Sequence, residues 1–162
     1  MIIVLHNILI KEWGDEVKKV IIIDDLRGKR RDIKEYMSSI LGDDTDFIEF
    51  DYRNSAVREL MALKEEINSN PADYILVLDM CFPILEDSMP ERDEGLLFLH
   101  YLQLREINIP VIMCSSDAID ENLLIDYDNV LGSVKYDCSV YLKPQFEELV
   151  KKWLGDAYES KS

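Results

Sequence analysis

The chain has 162 residues, 48% of them apolar, which suits one globular domain with a substantial core and argues against a disordered chain. Acidic residues outnumber basic ones 33 to 18, for a net charge of −15. That argues against a phosphate-neutralising nucleic-acid surface and leaves an acidic exterior suited to a basic partner patch. Cys81, Cys114 and Cys138 show no Cys-x-x-Cys spacing, and His6 and His100 stand far apart. A disulfide framework and a structural zinc site are therefore not expected, and a reducing, cytoplasmic setting is.

Taken in order, Met1–Ile10 is apolar but too short to span a bilayer, and it lacks the basic lead and cleavage site of a secretory signal. Residues 1–17 are expected to form an extra strand or helix, with Trp13, packing on the domain or on a second copy in a homodimer. Val20–Ile23 is a β-branched run of the kind buried on both faces of a sheet, and it leads straight into Asp24 and Asp25. Adjacent carboxylates repel and raise each other's pKa unless a cation shares the site, and a hard divalent ion is the simplest one. A turn followed by a helix N-cap explains the same pair without metal. Ile33, Met37, Ile40 and Leu41 predict a helix over 27–41 that stops at Gly42. Phe47–Phe50 reads as a strand. Asn54 or Ser55 caps a second helix with Val57, Leu60, Met61 and Ile67 on one face, broken at Asn70-Pro71. Tyr74–Leu78 is a second buried strand ending in an aspartate, Asp79. An acidic irregular stretch from Met80 to Glu94 precedes a leucine-rich helix from about Gly95 to Glu106. Ile109–Cys114 is a further strand, ending in Ser115. Asp117 is expected to cap a helix near 118–127. Ser139–Leu142 is expected as the last strand, ending in Lys143-Pro144, before a helix with Phe146, Leu149, Val150 and Trp153 on one stripe.

Strands and helices thus alternate five times, the pattern of a doubly wound α/β domain with a parallel sheet. In such a sheet ligands bind beyond the carboxyl ends of the strands. Asp24, Asp25, Asp79, Ser115 and Lys143 are all expected at that one edge. Singly, each has a plain structural explanation; together they make a candidate site.

These residues resemble the receiver domain of bacterial response regulators in two-component signalling. The likeness rests on Ile23-Asp24-Asp25, Leu78-Asp79-Met80 with Pro83 following, Pro110–Met113 leading to Ser115-Ser116, and Lys143-Pro144. It covers roughly residues 18–154. The resemblance implies a flavodoxin-like five-stranded sheet of order 2-1-3-4-5, with domain bounds of 18–158 and a tail of 159–162. It implies that Asp79 accepts a phosphoryl group and that Mg²⁺ is held by Asp24, Asp25, Asp79 and the backbone carbonyl of Cys81. Lys143 and Ser115 would contact the phosphoryl oxygens. It further implies a histidine kinase or phosphotransfer protein as donor, a downstream protein target, slow autodephosphorylation and no other enzymatic activity. Because no effector sequence follows the last helix, a stand-alone receiver is expected.

Two departures from the family pattern stand out. The aromatic expected three residues before the lysine is Val140, with Tyr141 next to it and Tyr136 as a substitute. The stretch after Asp79 is also about twice the usual length, so residues near 84–92 read as an insertion, either a solvated loop or a lid. Two other functions compete with the receiver reading. One is a receiver-like scaffold that binds partners without phosphorylation. The other is a metal-dependent phosphohydrolase with an Asp nucleophile, which typically needs Asp-x-Asp, whereas Asp79 is followed by Met80 and Cys81.

Overall fold

A computed structural model describes residues 17–137 and 142–155. The N-terminal extension, Cys138 to Tyr141 and the tail lie outside the described residues. Strand β1 (Lys19–Ile23) is followed by α1 (Arg27–Leu41), β2 (Asp46–Phe50), α2 (Arg53–Ala62), α3 (Lys64–Ser69), β3 (Tyr74–Leu78), α4 (Glu94–Leu104), β4 (Val111–Ser115), a short 3₁₀ turn (Glu121–Leu123), β5 (Val130–Lys135) and α5 (Leu142–Leu154). All strand pairs are parallel, in the order β2-β1-β3-β4-β5. The doubly wound 2-1-3-4-5 sheet that the resemblance implies is the sheet observed.

The strands read as continuous apolar runs because each buries both faces. Ile21, Ile23, Leu76, Leu78, Val111 and Met113 pack with residues of α2, α3 and α4 on one side. The alternate residues Val20, Ile22, Ile75, Val77 and Ile112 pack with Ile33 and Met37 of α1 and Phe146 and Val150 of α5 on the other. This is the period of two of a pleated strand, with helices covering each face. Each fully buried aliphatic side chain contributes about 1.5–3 kcal/mol through lost water contact, so the three central strands dominate the core.

Three expected elements differ. The fifth strand is Val130–Lys135, not Ser139–Leu142. Leu142 is instead buried as the first residue of α5, and Ser139, Val140 and Tyr141 lie outside the described residues. Gly132 and Ser133 interrupt the apolar pattern of β5, but the β4 backbone still pairs with them, with a register shift at Val111/Ile112. The helix expected over 118–127 is only the 3₁₀ turn, and Asp120 rather than Asp117 caps it, accepting the Asn122 N–H at 3.0 Å. The second helix is split at Leu63, and its N-cap residue is Tyr52, not Asn54 or Ser55. The split leaves Met61 40% exposed while Leu60 and Ile67 are fully buried.

The long stretch after β3 is tied down on both sides. Phe82 is fully buried against Phe98 and forms an antiparallel bridge with Glu91. The carbonyls of Pro83 and Ile84 accept the first backbone N–H groups of α2, from Arg53 at 2.8 Å and Asn54 at 3.1 Å. They do the capping that no side chain does there. Arg53 also pairs with the buried Glu94 at the start of α4, Nη1 to Oε1 at 3.0 Å. Replacing Arg53 by methionine will therefore leave a buried carboxylate unpaired and lower stability by about 1–3 kcal/mol, allowing for the partial exposure of Arg53. Urea unfolding checks this: Glu94→Gln added to Arg53→Met should recover part of the loss, and an unchanged midpoint in Arg53→Met would count against the pairing.

Candidate metal and phosphoacceptor site

β1 and β3 are neighbours, and each runs straight into an aspartate at its carboxyl end. The Asp24 N–H donates to Phe50 O and the Asp79 N–H to Ile23 O, both at 3.0 Å, so the ladder fixes both aspartates just as the strands end. The turn read as one explanation of the Asp24-Asp25 pair is present, although the helix N-cap is Leu26 and no side chain caps it. Asp24 Oδ1 accepts the Leu26 N–H at 2.9 Å, which makes the turn into α1. Asp24 Oδ2 is buried and faces an ammonium, that of Lys29.

Asp24, Asp25 and Asp79 each present a carboxylate oxygen, all within 4.8 Å of one another. Asp24 and Asp79 are buried and Asp25 is half-buried. An all-oxygen, carboxylate-rich donor set of this kind fits a hard divalent cation such as Mg²⁺. Cys81, two residues after Asp79, is close enough to this cluster for its thiol pKa to feel it. Burial raises that pKa first, and the charges of Asp79, Asp25 and Asp93 raise it further. The Cys114 thiol is pushed up to about 12 by burial, which keeps it protonated and inert.

The ammonium that enters this cluster was not anticipated. Lys29, in the first turn of α1, is buried, with Nζ 2.7 Å from Asp24 Oδ2 and 3.1 Å from Asp79 Oδ1. It also donates to the Cys114 carbonyl at 2.8 Å. At 2.7 Å the ammonium is the counter-charge of the buried Asp24 Oδ2. The tyrosine ring that follows β5, Tyr136, has its centroid 5.7 Å from Lys29 Nζ. The Tyr136 hydroxyl donates to Asp32, and its N–H donates to Ser115 O at 2.7 Å.

Lys29 has a sequence signal. Lys29, Ile33 and Met37 are the buried residues of α1, four apart on a single stripe, so a lysine heads an apolar face. Inside the basic run Arg27–Lys34 it reads as one more solvated charge.

Electrostatics at the site are set by burial. Burial raises the Asp24 pKa, which the Lys29 charge only partly offsets, and the result is about 6. Asp79 is raised as well, by burial first and against Lys29. Burial disfavours the Lys29 ammonium, but Asp24 and Asp79 outweigh it and its pKa ends above the ordinary value. With every group charged, three carboxylates face one ammonium and two negative charges remain, the charge that one divalent ion balances.

Ser115 is the last residue of β4 and is buried, with Oγ accepting the Asp117 N–H at 3.4 Å. Leu78 pairs with Met113, so Ser115 stands one residue beyond the level of Asp79 on the neighbouring strand. Lys143 differs from its expected position. It is the exposed second residue of α5, not the end of a strand, because the sheet takes Val130–Lys135 as its fifth strand. Among the described residues, then, Asp24, Asp25, Asp79 and Ser115 share the carboxyl edge, and Lys29 supplies the ammonium that contacts Asp79. A cleft of about 330 Å³ lined by Pro71, Pro110, Asn129 and Trp153 lies at the opposite, amino-terminal edge, away from these carboxylates.

No protein-family model matches the sequence, and no curated protein matches it. Solved structures do match. The signal receiver domain of a putative Luxo repressor protein from Vibrio parahaemolyticus is 15% identical, with a TM-score of 0.59 over 90% of this chain and 95% of that one. The phosphorylated cyanobacterial phytochrome response regulator RcpA is 19% identical, with a TM-score of 0.57 over 87% and 96%. A DNA-binding response regulator of the LuxR family from Staphylococcus aureus is 20% identical, with a TM-score of 0.56 over 84% and 98%. The fold of this chain is the response-regulator receiver fold. Among the described residues no helix is long and apolar enough to cross a membrane.

Proposed function

Proceeding from the receiver fold, we propose that the chain is a phosphoacceptor receiver of a two-component relay, in which Asp79 takes a phosphoryl group and the modified state changes protein contacts. The observation that carries this reading is the convergence of Asp24, Asp25 and Asp79 within 4.8 Å at the carboxyl edge of a 2-1-3-4-5 sheet.

Asp24, Asp25, Asp79 and the carbonyl of Cys81 would hold Mg²⁺, which when bound offsets the negative charge between the carboxylates and an anionic donor. A carboxylate oxygen of Asp79 attacks the donor's phosphorus. The new P–O bond forms as the bond to the leaving group breaks, and the leaving group keeps that electron pair. The Met80 N–H, which donates to Asp79 Oδ1 at 2.8 Å, helps to hold the attacking carboxylate in place. Lys29 lies against that same oxygen, where its ammonium faces the developing charge. The Ser115 hydroxyl, at the end of the next strand, donates to a phosphoryl oxygen. Attack of water on the phosphorus later releases inorganic phosphate and restores the carboxylate. A histidine kinase or phosphotransfer protein supplies the group, and a downstream protein reads it.

Labelled acetyl phosphate tests this reading. With Mg²⁺ the protein should take up label that hydroxylamine removes, as it does from an acyl phosphate, and excess chelator should prevent uptake. Absence of label under both conditions would favour the non-phosphorylated scaffold. Sustained turnover of phosphate esters would favour the phosphohydrolase.

A further inference from the structure

Lys29 has a placement that surface charge does not explain. Its side chain is 1% exposed, and three oxygens from three different segments stand within 3.1 Å of its ammonium: one from Asp24 after β1, one from Asp79 after β3, and the carbonyl of Cys114 within β4. Two of those partners are the carboxylates through which a divalent ion would bind. The third is backbone and cannot move with them. The helix fixes the lysine as firmly as the sheet fixes the acids, because Ile33 and Met37 below it on the same stripe are fully buried. The Tyr136 ring covers the ammonium from the β5 side at 5.7 Å.

We propose that Lys29 is the resident cation of the site. It holds Asp24 and Asp79 from the helix after β1 and takes the phosphoryl contact that the sequence resemblance gives to Lys143, and a divalent ion binds beside it and against its charge. The inference rests on the receiver reading: the cation assignment on its metal-binding part, and the phosphoryl contact on phosphorylation of Asp79. An ammonium already in contact with two of three ligands has two opposed effects. It lowers the affinity for the ion, since two cations share one low-dielectric pocket, and it supplies the positive charge that an incoming phosphoryl group meets at Asp79. Lys29 is a positioning residue for the metal ligands and a contact residue for the phosphoryl group.

The test is calorimetric titration of Mg²⁺ into the full chain, paired with fluorine NMR of the beryllofluoride adduct. Lys29→Gln removes the charge and keeps a donor for the Cys114 carbonyl. It should bind Mg²⁺ about tenfold more tightly than wild type, as expected when a neighbouring like charge is removed. It should also form the beryllofluoride adduct at least about tenfold more weakly, since the adduct loses its ammonium contact. Lys143→Gln should leave both quantities unchanged. Lys29→Arg keeps the charge in a larger head and should keep Mg²⁺ affinity near wild type, which separates loss of charge from loss of packing should Lys29→Gln fold poorly. Unchanged or weaker Mg²⁺ binding in folded Lys29→Gln overturns the assignment, as does Lys143→Gln reproducing the Lys29→Gln changes. Weakened Mg²⁺ binding in Lys29→Arg overturns it too. Tighter Mg²⁺ binding in Lys29→Gln without an adduct in any variant supports the assignment of Lys29 and instead removes the phosphoacceptor reading.

Discussion

Replacing Gly95 by alanine will lower stability by about 3 kcal/mol or more and will disturb the phosphoacceptor directly. A Cβ at Gly95 would stand 2.3 Å from the carbonyl oxygen of Asp79 and 2.9 Å from the Cα of Met80. Both are backbone atoms and neither can swing away. The contact is this close because the Gly95 N–H donates to Met80 O at 2.9 Å, docking the start of α4 on the chain just past β3. Relief requires either that α4 moves off the sheet, uncovering Phe98, or that Asp79 moves away from Asp24 and Asp25. Gly28 is the control. A Cβ there meets nothing within 4 Å, and Gly28 lies in α1, so Gly28→Ala should be neutral or stabilise by up to about 1 kcal/mol. Thermal melting separates the two: a fall of roughly 10 °C for Gly95→Ala is expected from the size of the chain. A Gly95→Ala variant that melts with wild type would show that the close approach is not present in solution.

Asp24→Asn should do the reverse, raising the stability of the metal-free protein while abolishing its response to Mg²⁺. The Asp24 pKa is about 6 in the folded chain, against an ordinary 3.8, because burial disfavours the carboxylate more than Lys29 favours it. Below the ordinary value the side chain is protonated in both states and contributes nothing. Between roughly pH 4 and pH 6 the folded chain binds more protons than the unfolded one, so this group's contribution to stability falls as pH rises. Above that window the full penalty applies, of order 3 kcal/mol for a shift of this size. Asparagine keeps the shape and the turn acceptor for the Leu26 N–H without the charge. The variant should therefore match wild type near pH 4 and exceed it by up to about 3 kcal/mol at pH 7 without metal. Mg²⁺ should raise the melting temperature of wild type and leave Asp24→Asn unmoved. A variant less stable than wild type at pH 7 would mean that the ion pair with Lys29 outweighs the cost of burial.

The legible part of this chain follows from burial. β1, β3 and β4 could be read because they lie in the middle of the sheet and bury both faces, so their sequences are unbroken apolar runs that stop abruptly at Asp24, Asp79 and Ser115. Those stops place four of the five candidate side chains, Asp24, Asp25, Asp79 and Ser115, on one edge. β5 could not be read in the same way. It lies at the sheet edge, and most of its residues are only partly buried, so Gly132 and Ser133 are tolerated there and the periodicity fades. The Val-Tyr-Leu run further on reads as the better strand, but Leu142 and Lys143 belong to α5, and Val140 and Tyr141 lie outside the described residues. Lys29 was obscured for the opposite reason. Its environment is assembled from three strand ends distant in sequence, and local composition around it is that of a solvated helix face. Its one local mark is that it shares the stripe of Ile33 and Met37.

The central claim is that Asp79 is the residue that accepts the phosphoryl group, and borohydride trapping tests it most directly. Protein treated with acetyl phosphate and Mg²⁺ is reduced with borohydride, which converts an aspartyl phosphate to homoserine, and the peptides are sequenced by mass spectrometry. The account predicts homoserine at position 79, dependent on Mg²⁺ and lost in Asp79→Asn. Homoserine at Asp24, Asp25 or another carboxylate instead, or none in folded protein that binds Mg²⁺, would contradict it.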